Sequence, residues 1–270
     1  MTIIEGIVLG LVQGITEFLP VSSSGHLAIL SLIFGIEEGN LFYSVMLHFS
    51  TLLAVVIYFR EEVIQLIGAF FSLVRRIYKR EGNAFEKYER MVLMILIGTI
   101  PTGIMGVGLG SVFESLYSQL HYIAIALIIT GILLLLSERL AKNKYKIKNF
   151  PYANALVIGI FQGFAITPGI SRSGATIVGA LFMGLDREEA ARFSFLLSIP
   201  AILGATLLEI LSLETGVMLI NSGLVIAMIL SFVSGLAAIS LLMTLIRRGK
   251  LYYFSIYVFA LAISIWLFMA

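Results

Sequence analysis

Residues 13–26 read QGITEFLPVSSSGH, a polar knot inside one of the most apolar settings a chain can build. The stretch carries a carboxylate (Glu17), a helix-breaking proline (Pro20), three consecutive hydroxyls (Ser22, Ser23, Ser24), a glycine (Gly25) and an imidazole (His26). Ionisable groups at membrane depth are costly and by default mark function. A second stretch answers the first. With a constant offset of 149, VLGLVQGITEFLPVSSSG at 8–25 aligns with VIGIFQGFAITPGISRSG at 157–174. Gly10, Gln13, Gly14, Ser22, Ser24 and Gly25 fall on Gly159, Gln162, Gly163, Ser171, Ser173 and Gly174. The mismatches are informative: Glu17 faces Ile166, His26 faces Ala175 and Ser23 faces Arg172. One copy keeps a carboxylate and an imidazole, the other a guanidinium, so a duplicated scaffold makes one asymmetric site.

The surroundings justify the words "membrane depth". Of 270 residues, 59% are hydrophobic and 13% charged, with a mean hydropathy of +1.03. A soluble domain carries about twice that charge fraction. An all-α polytopic membrane protein is expected, since a barrel would show short alternating strands. The chain has no cysteine, which excludes disulfides, thiolate metal sites and a cysteine nucleophile. No removable signal peptide is expected, because no basic region precedes the first apolar run and no A-x-A site follows it.

At roughly 20 apolar residues per crossing, six full spans are expected near 41–59, 91–110, 120–137, 190–212, 219–246 and 251–269. Four shorter runs, 3–18, 24–35, 152–166 and 174–185, form two pairs, each joined by one copy of the repeat. Each pair reads as a re-entrant helix–loop–helix, with irregular backbone tolerated where protein or a wet cavity satisfies it. Seventeen of the eighteen basic residues fall in or beside the 60–90 and 138–150 connections, at Arg187 and Arg192, or between the last two spans at 247–250. The exception is Arg172. The connections at 36–40, 111–119 and 213–218 hold Glu but no Lys or Arg. The positive-inside rule makes the basic set cytoplasmic. Three spans then follow each re-entrant pair, which makes the repeats inverted, at about 1–140 and 150–270 of a single membrane domain, with both termini external. The 61–80 segment, with apolar residues at helical spacing between charged ends, reads as an amphipathic helix on the cytoplasmic surface.

Gln13 and Glu17, four residues apart, project from one helix face. A carboxamide and a carboxylate with hydroxyls close behind suit a hard divalent cation, Mg²⁺ or Ca²⁺. Ser22, Ser23 and Ser24, and likewise Ser171 and Ser173, precede half-helices whose first turns can be capped by hydroxyls and attract anions. Arg172 adds a planar fork suited to phosphate or carboxylate. His26 is placed to act as a general acid or base, or as a nucleophile toward phosphorus. His48, mid-span in MLHFSTLLAV, and His121, at a span's outer edge, read as structural. Asp186 with Arg187, Glu188 and Glu189 reads as the cap of the fourth span. The assembly is an anion site with a base and hydroxyls at membrane depth, and its anion must ride on something that belongs in a bilayer, such as a lipid phosphate or diphosphate.

These residues resemble the undecaprenyl-diphosphatase family, also called bacitracin-resistance proteins. The family pattern pairs (E/Q)-x-x-x-E, a Ser-rich loop and Gly-His with a second motif, P-G-x-S-R-S-x-x-T. Here these are Gln13, Glu17 and Ser22 to His26, then Pro168, Gly169, Ser171, Arg172, Ser173 and Thr176. The resemblance extends over essentially the whole chain. It implies a multi-pass plasma-membrane enzyme that hydrolyses polyprenyl diphosphate to the monophosphate, recycles the glycan carrier lipid for cell-wall synthesis and depends on a divalent metal. It also implies a site opening to the outer face. Under the resemblance Glu17 and Gln13 hold the metal or poise the nucleophile, and Ser23 and His26 are the two nucleophile candidates. Arg172 with Ser171, Ser173 and Thr176 grips the diphosphate, alongside Ser22 and Ser24. The partners are the lipid substrate and the bilayer, with no nucleic acid, and a homodimer is left open. Gln13 stands where some members have Glu. The phosphatidic-acid phosphatase superfamily shares S-G-H and S-R elements, but its K-x₆-R-P and S-R-x₅-H-x₃-D motifs are missing from the sequence. A lipid flippase or transporter using the same anion site is the rival from another class, since inverted repeats and broken helices belong to transporters. The topology is directly testable: cysteines replacing Asn83 and Lys144 should label only from inside, and one replacing Ser115 only from outside, whereas external labelling at 83 would overturn the inverted repeat.

Overall fold

The computed structural model describes residues 1–36, 41–79, 85–141, 143–212 and 220–269. Save for Ile36, the connections expected at 36–40 and 213–218 lie outside the described residues, as do residues 80–84 of the basic 60–90 connection. The described chain forms eleven helices and no strand: α1 (Ile3–Phe18), α2 (Ser23–Phe34), α3 (Leu41–Tyr58), α4 (Arg60–Lys79), α5 (Lys87–Ser115), α6 (Leu120–Leu140), α7 (Tyr152–Phe164), α8 (Arg172–Phe182), α9 (Arg187–Ser212), α10 (Ser222–Arg247) and α11 (Tyr252–Met269). The chain is an all-α polytopic membrane protein.

The six segments expected to span all fold as helices, but not all are equal. Four of them, α5, α6, α9 and α10, are long and apolar enough to cross a membrane by length and composition. The apolar run of α11, Tyr252–Phe268, falls short of that length. Helix α3 meets it only together with α4, and the two are bent by 89° at the break between them. Helix α4 therefore does not prolong α3. One face of it, with Ala69 and Leu73, packs on Val92 near the start of α5, while Ile64, Ile67, Phe71 and Ile77 are exposed on the other. That is the amphipathic helix expected over 61–80.

The four short runs become two helix–loop–helix pairs, α1–α2 and α7–α8, and local chemistry sets their ends. Thr2 and Glu5 close a capping box at the start of α1. The helix stops at Leu19 because Pro20 disfavours helical backbone in the residue before it. Ser22 and Ser171, repeat-mates, cap α2 and α8 by accepting from the amides of Gly25 at 3.3 Å and Gly174 at 3.1 Å. Asp186 accepts from Glu189 N at 2.9 Å and caps α9, as expected.

What draws the two loops together is a pair of close helix crossings. Small residues four apart let backbones touch without side chains between them. A Cβ on Gly6, Gly10 or Gly14 of α1 would lie 2.2, 2.4 and 2.4 Å from the carbonyls of Gly223, Ala227 and Ser231 of α10. A Cβ on Gly159 of α7 would lie 2.1 Å from the carbonyl of Gly98 of α5. Each short helix of one half thus leans on a long helix of the other, and the pairings α1–α10 and α7–α5 exchange when the halves are exchanged. Beneath the loops the main core gathers Phe18, Phe193, Phe195 and Leu197, with Phe18 edge-on to Phe195 at 5.5 Å.

The charged connections collect at one end of the bundle. Arg192 pairs with Glu62 and, at 3.2 Å, with Glu188, which also receives Arg247 at 2.8 Å. Lys146 pairs with Asp186, and Arg90 donates to the Phe150 carbonyl at 2.9 Å. The starts of α4, α5 and α9, the end of α10 and the stretch before α7 therefore share that end. The crossings should be sensitive to one methyl group. Gly10→Ala and Gly159→Ala should each cost about 1–3 kcal/mol, the usual cost of overpacking, read as a lower melting temperature in detergent. Gly108→Ala, with nothing within 4 Å of the new Cβ, should be neutral or stabilising, because Ala is the better helix former. Equal melting of all three variants would refute the crossings.

Candidate active site

The two loops meet tip to tip. Gly169 N donates to Ser24 Oγ at 3.4 Å, and Ser173 Oγ donates to the Leu19 carbonyl at 3.4 Å. From α6, Thr130 Oγ1 donates to Gly169 O at 3.1 Å and accepts from Ser171 N at 3.1 Å, which pins the second loop. At the seam lies Glu17, in the last turn of α1 and only 5% exposed. A buried carboxylate must be matched by donors; Arg172, Ser23 and Gln13 supply them, and His48, whose Nδ1 is 2.8 Å from the Ser44 carbonyl, adds one when its ring is protonated. Arg172 Nη2, from the first turn of α8, pairs with Oε1. Onto Oε2 converge Ser23 Oγ at 2.6 Å, Gln13 Nε2 at 3.1 Å and His48 Nε2 at 3.4 Å.

Gln13, Glu17, Ser23 and Arg172 are thus brought together as the sequence suggested. His48 is a correction: read as structural, it reaches from α3 into the centre. The signal was there, because the rule that promoted Glu17, an ionisable group in mid-membrane, applies equally to a mid-span imidazole. His26 goes the other way. Its Nδ1 lies 2.8 Å from the Ser22 carbonyl and its Nε2 lies 2.7 Å from the Tyr257 hydroxyl of α11. Both ring nitrogens are engaged away from Glu17. Ser22 and Ser171 are committed as caps, with Ser22 Oγ also 3.2 Å from Ser24 Oγ and Ser171 Oγ 3.3 Å from Ser173 Oγ. Thr176, fully buried, donates to the Arg172 carbonyl and pairs with Ser194 of α9 at 2.5 Å, so it ties α8 to α9.

Two buried polar atoms beside Glu17 have no hydrogen-bond partner among the described residues: Arg172 Nη1, a donor, and Gln13 Oε1, an acceptor. Buried polar groups are normally satisfied, so both atoms are open to groups of a ligand. A phosphate oxygen would fit Nη1, and a hard cation would fit Gln13 Oε1 together with Glu17. Among the described residues no group of three His, Cys, Asp or Glu is set to hold a metal unaided. That donor set fits a cation shared with a bound phosphate, as Mg²⁺ sites commonly are.

At the turn that precedes the site, Ser22 is held at φ 68°, ψ 91°. A non-glycine residue there is strained and persists where the surroundings over-determine it. The cap to Gly25, the contact with Ser24 and the bond from His26 to its carbonyl supply that determination.

The model of the family described as bacitracin resistance protein BacA matches residues 6–264. The chain is 43% identical over 272 residues to the undecaprenyl-diphosphatase of Alkaliphilus metalliredigens, covering 99% of each chain. It is 42% identical over 273 residues to that of Desulfosudis oleivorans, covering 98% of each. It is 40% identical over 255 residues to that of Methanococcus vannielii, covering 94% of this chain and 96% of the relative. The motifs, the helical fold and the full-length match agree, and the chain belongs to the BacA family.

Proposed function

We propose that this protein is a membrane phosphatase that hydrolyses a polyprenyl diphosphate of the undecaprenyl type to the monophosphate and inorganic phosphate. The observation that carries the reading is the 2.6 Å bond from Ser23 Oγ to Glu17 Oε2 beside the unpartnered Arg172 Nη1. A hydroxyl bonded to a carboxylate is a nucleophile with its base already in place. An anion beside it is what Nη1 is poised to receive.

In this reading Arg172 binds the diphosphate through Nη1 while Nη2 stays on Glu17. Ser23 Oγ attacks the terminal phosphorus and passes its proton to Glu17 Oε2. The bond to the bridging oxygen breaks, and prenyl monophosphate leaves. Water then cleaves the phosphoserine, releasing phosphate and restoring Ser23. Gln13 and His48 hold Glu17 Oε2 aimed at Ser23. His26 has no nitrogen free to attack, which favours Ser23 of the two nucleophile candidates. A divalent cation, Mg²⁺ or Ca²⁺, held by Glu17 and Gln13 Oε1, would neutralise charge on the diphosphate oxygens. Ser24 and Ser173 are left to line the phosphate pocket, with Ser22, Ser171 and Thr176 building its walls.

The two halves are inverted repeats, a reading supported by the offset of 149 and by the exchanging helix pairs α1–α10 and α7–α5. The end bearing the ion pairs of Arg192, Arg247 and Lys146 is cytoplasmic by the positive-inside rule. The site then opens to the outer face of the plasma membrane, where the carrier lipid is recycled for the cell wall. A flippase would need the anion contacts but not a serine paired with a carboxylate.

Purified protein should release phosphate from farnesyl or longer prenyl diphosphate, and a chelator should abolish it; no release under any divalent metal would sink the reading. Arg172→Lys should lose about 10²-fold in turnover, roughly 3 kcal/mol, because an ammonium cannot hold Glu17 and a phosphate with separate arms. Near-parental turnover would reduce Arg172 to charge balance. Gln13→Glu should need less Mg²⁺ for half-maximal activity and Gln13→Ala more, since hard cations follow ligand charge. If both keep the parent's metal dependence, the cation is held without position 13.

A further inference from the structure

His26 lies one helical turn beyond Ser23, on the same face of α2. Its surroundings fix its protonation pattern by hydrogen-bond logic alone. A backbone carbonyl only accepts, so the 2.8 Å contact with Ser22 O places the proton on Nδ1. In the neutral ring Nε2 is then a lone pair, and the partner at 2.7 Å, Tyr257 Oη, donates. The two rings lie parallel, with centroids 5.7 Å apart and an interplanar angle of 1°.

The phenol does not reach His26 by chance of rotamer. Its neighbour Val258 is fully buried in a cluster with Val21, Ile123, Ala124, Leu127, Ala262 and Ile265. Val21 belongs to the first motif's loop, Ile123, Ala124 and Leu127 to α6, and the rest to α11. That cluster clamps α11 against the loop that carries Ser22 and Ser23. Tyr257 itself is 47% exposed, so core packing does not require its hydroxyl.

We propose that Tyr257 is the positioning residue of His26. Its O–H donates to Nε2 and holds the imidazole, whose Nδ1–H is set by the Ser22 carbonyl, in one orientation a helical turn from Ser23, and through that bond α11 contributes to a reaction whose other proposed groups come from α1, α2, α3 and α8. The inference rests on the phosphatase reading for its kinetic consequence but not for the hydrogen bond at Nε2.

Both can be measured on the full chain in detergent. Nitrogen-15 NMR of histidine-labelled protein, with the His26 signals assigned from His26→Gln, should show the Nδ1–H form with a hydrogen-bonded Nε2. In Tyr257→Phe, which keeps the ring and removes only the hydroxyl, Nδ1–H should persist while the Nε2 signal moves to that of a lone pair without a hydrogen bond. The same variant should lose about 10-fold in kcat for prenyl diphosphate hydrolysis, the order seen when the partner orienting a functional imidazole is removed, with KM little changed. The double variant His26→Gln/Tyr257→Phe should be no slower than His26→Gln alone, because the phenol acts through the imidazole. A parental kcat in Tyr257→Phe, a loss seen in KM instead, or losses that multiply in the double variant would each overturn the proposal. So would an unchanged Nε2 signal in Tyr257→Phe. If the parent releases no phosphate, the phosphatase reading fails while the NMR still decides the role of Tyr257.

Discussion

The ion pair between Glu17 and Arg172 is the constraint on which the rest of the structure hangs. A carboxylate and a guanidinium from opposite halves of the chain, 155 residues apart in sequence, are buried together at the tips of two loops. Neither could be left there alone, because an unpaired ion in a low-dielectric interior costs several kcal/mol. The pair therefore specifies the fold as much as it is held by it: only an arrangement with the loops tip to tip satisfies both charges. The surplus valences, Gln13 Oε1 and Arg172 Nη1, are what the protein alone does not satisfy. A site two hydrogen bonds short suits a ligand that brings its own polar groups.

Placing backbone loops that deep demands short distances elsewhere. The glycines of α1 and α7 bring these helices against α10 and α5 at backbone contact, so the half-helices hold their polar tips at a fixed depth. Side chains of ordinary size along those faces would move the tips by more than a hydrogen bond can stretch. Thr130 finishes the work by using its single hydroxyl as donor and acceptor to one loop.

Most of this was legible in the sequence. The repeat at offset 149 located both loops, and composition fixed the helical membrane class. Four interrupted apolar runs marked the half-helices to within two residues, apart from their C-terminal ends. What escaped had physical causes. His48 sits in a continuous apolar helix with no broken backbone to flag it, and its relation to Glu17 exists only after α3 packs beside α1. His26 looked central because it adjoins the serines in sequence, yet its two ring nitrogens are taken up by the Ser22 carbonyl and by Tyr257 of α11 rather than by Glu17. Its partner Tyr257 lies in an apolar run where a tyrosine reads as an interfacial anchor. The expected spans at 41–59 and 251–269 both fold as apolar helices, and they are the two that length and composition alone do not mark as crossing: one is followed by an 89° bend and the other is the shorter run Tyr252–Phe268.

The exchange of partners between the halves also governs how the chain can be made. Helix α1 precedes the other ten helices in the chain, and the glycine face it needs to cover rests on α10, which follows more than 200 residues later. Helix α7, by contrast, finds α5 already in place. The first half must therefore wait in the membrane with its glycine face uncovered until α10 has been inserted, while α7 docks as it emerges. Assembly is closed by the return of α10 to the N-terminus, a late and long-range event of the kind that slows folding. Until then no half of this protein is a smaller version of the whole.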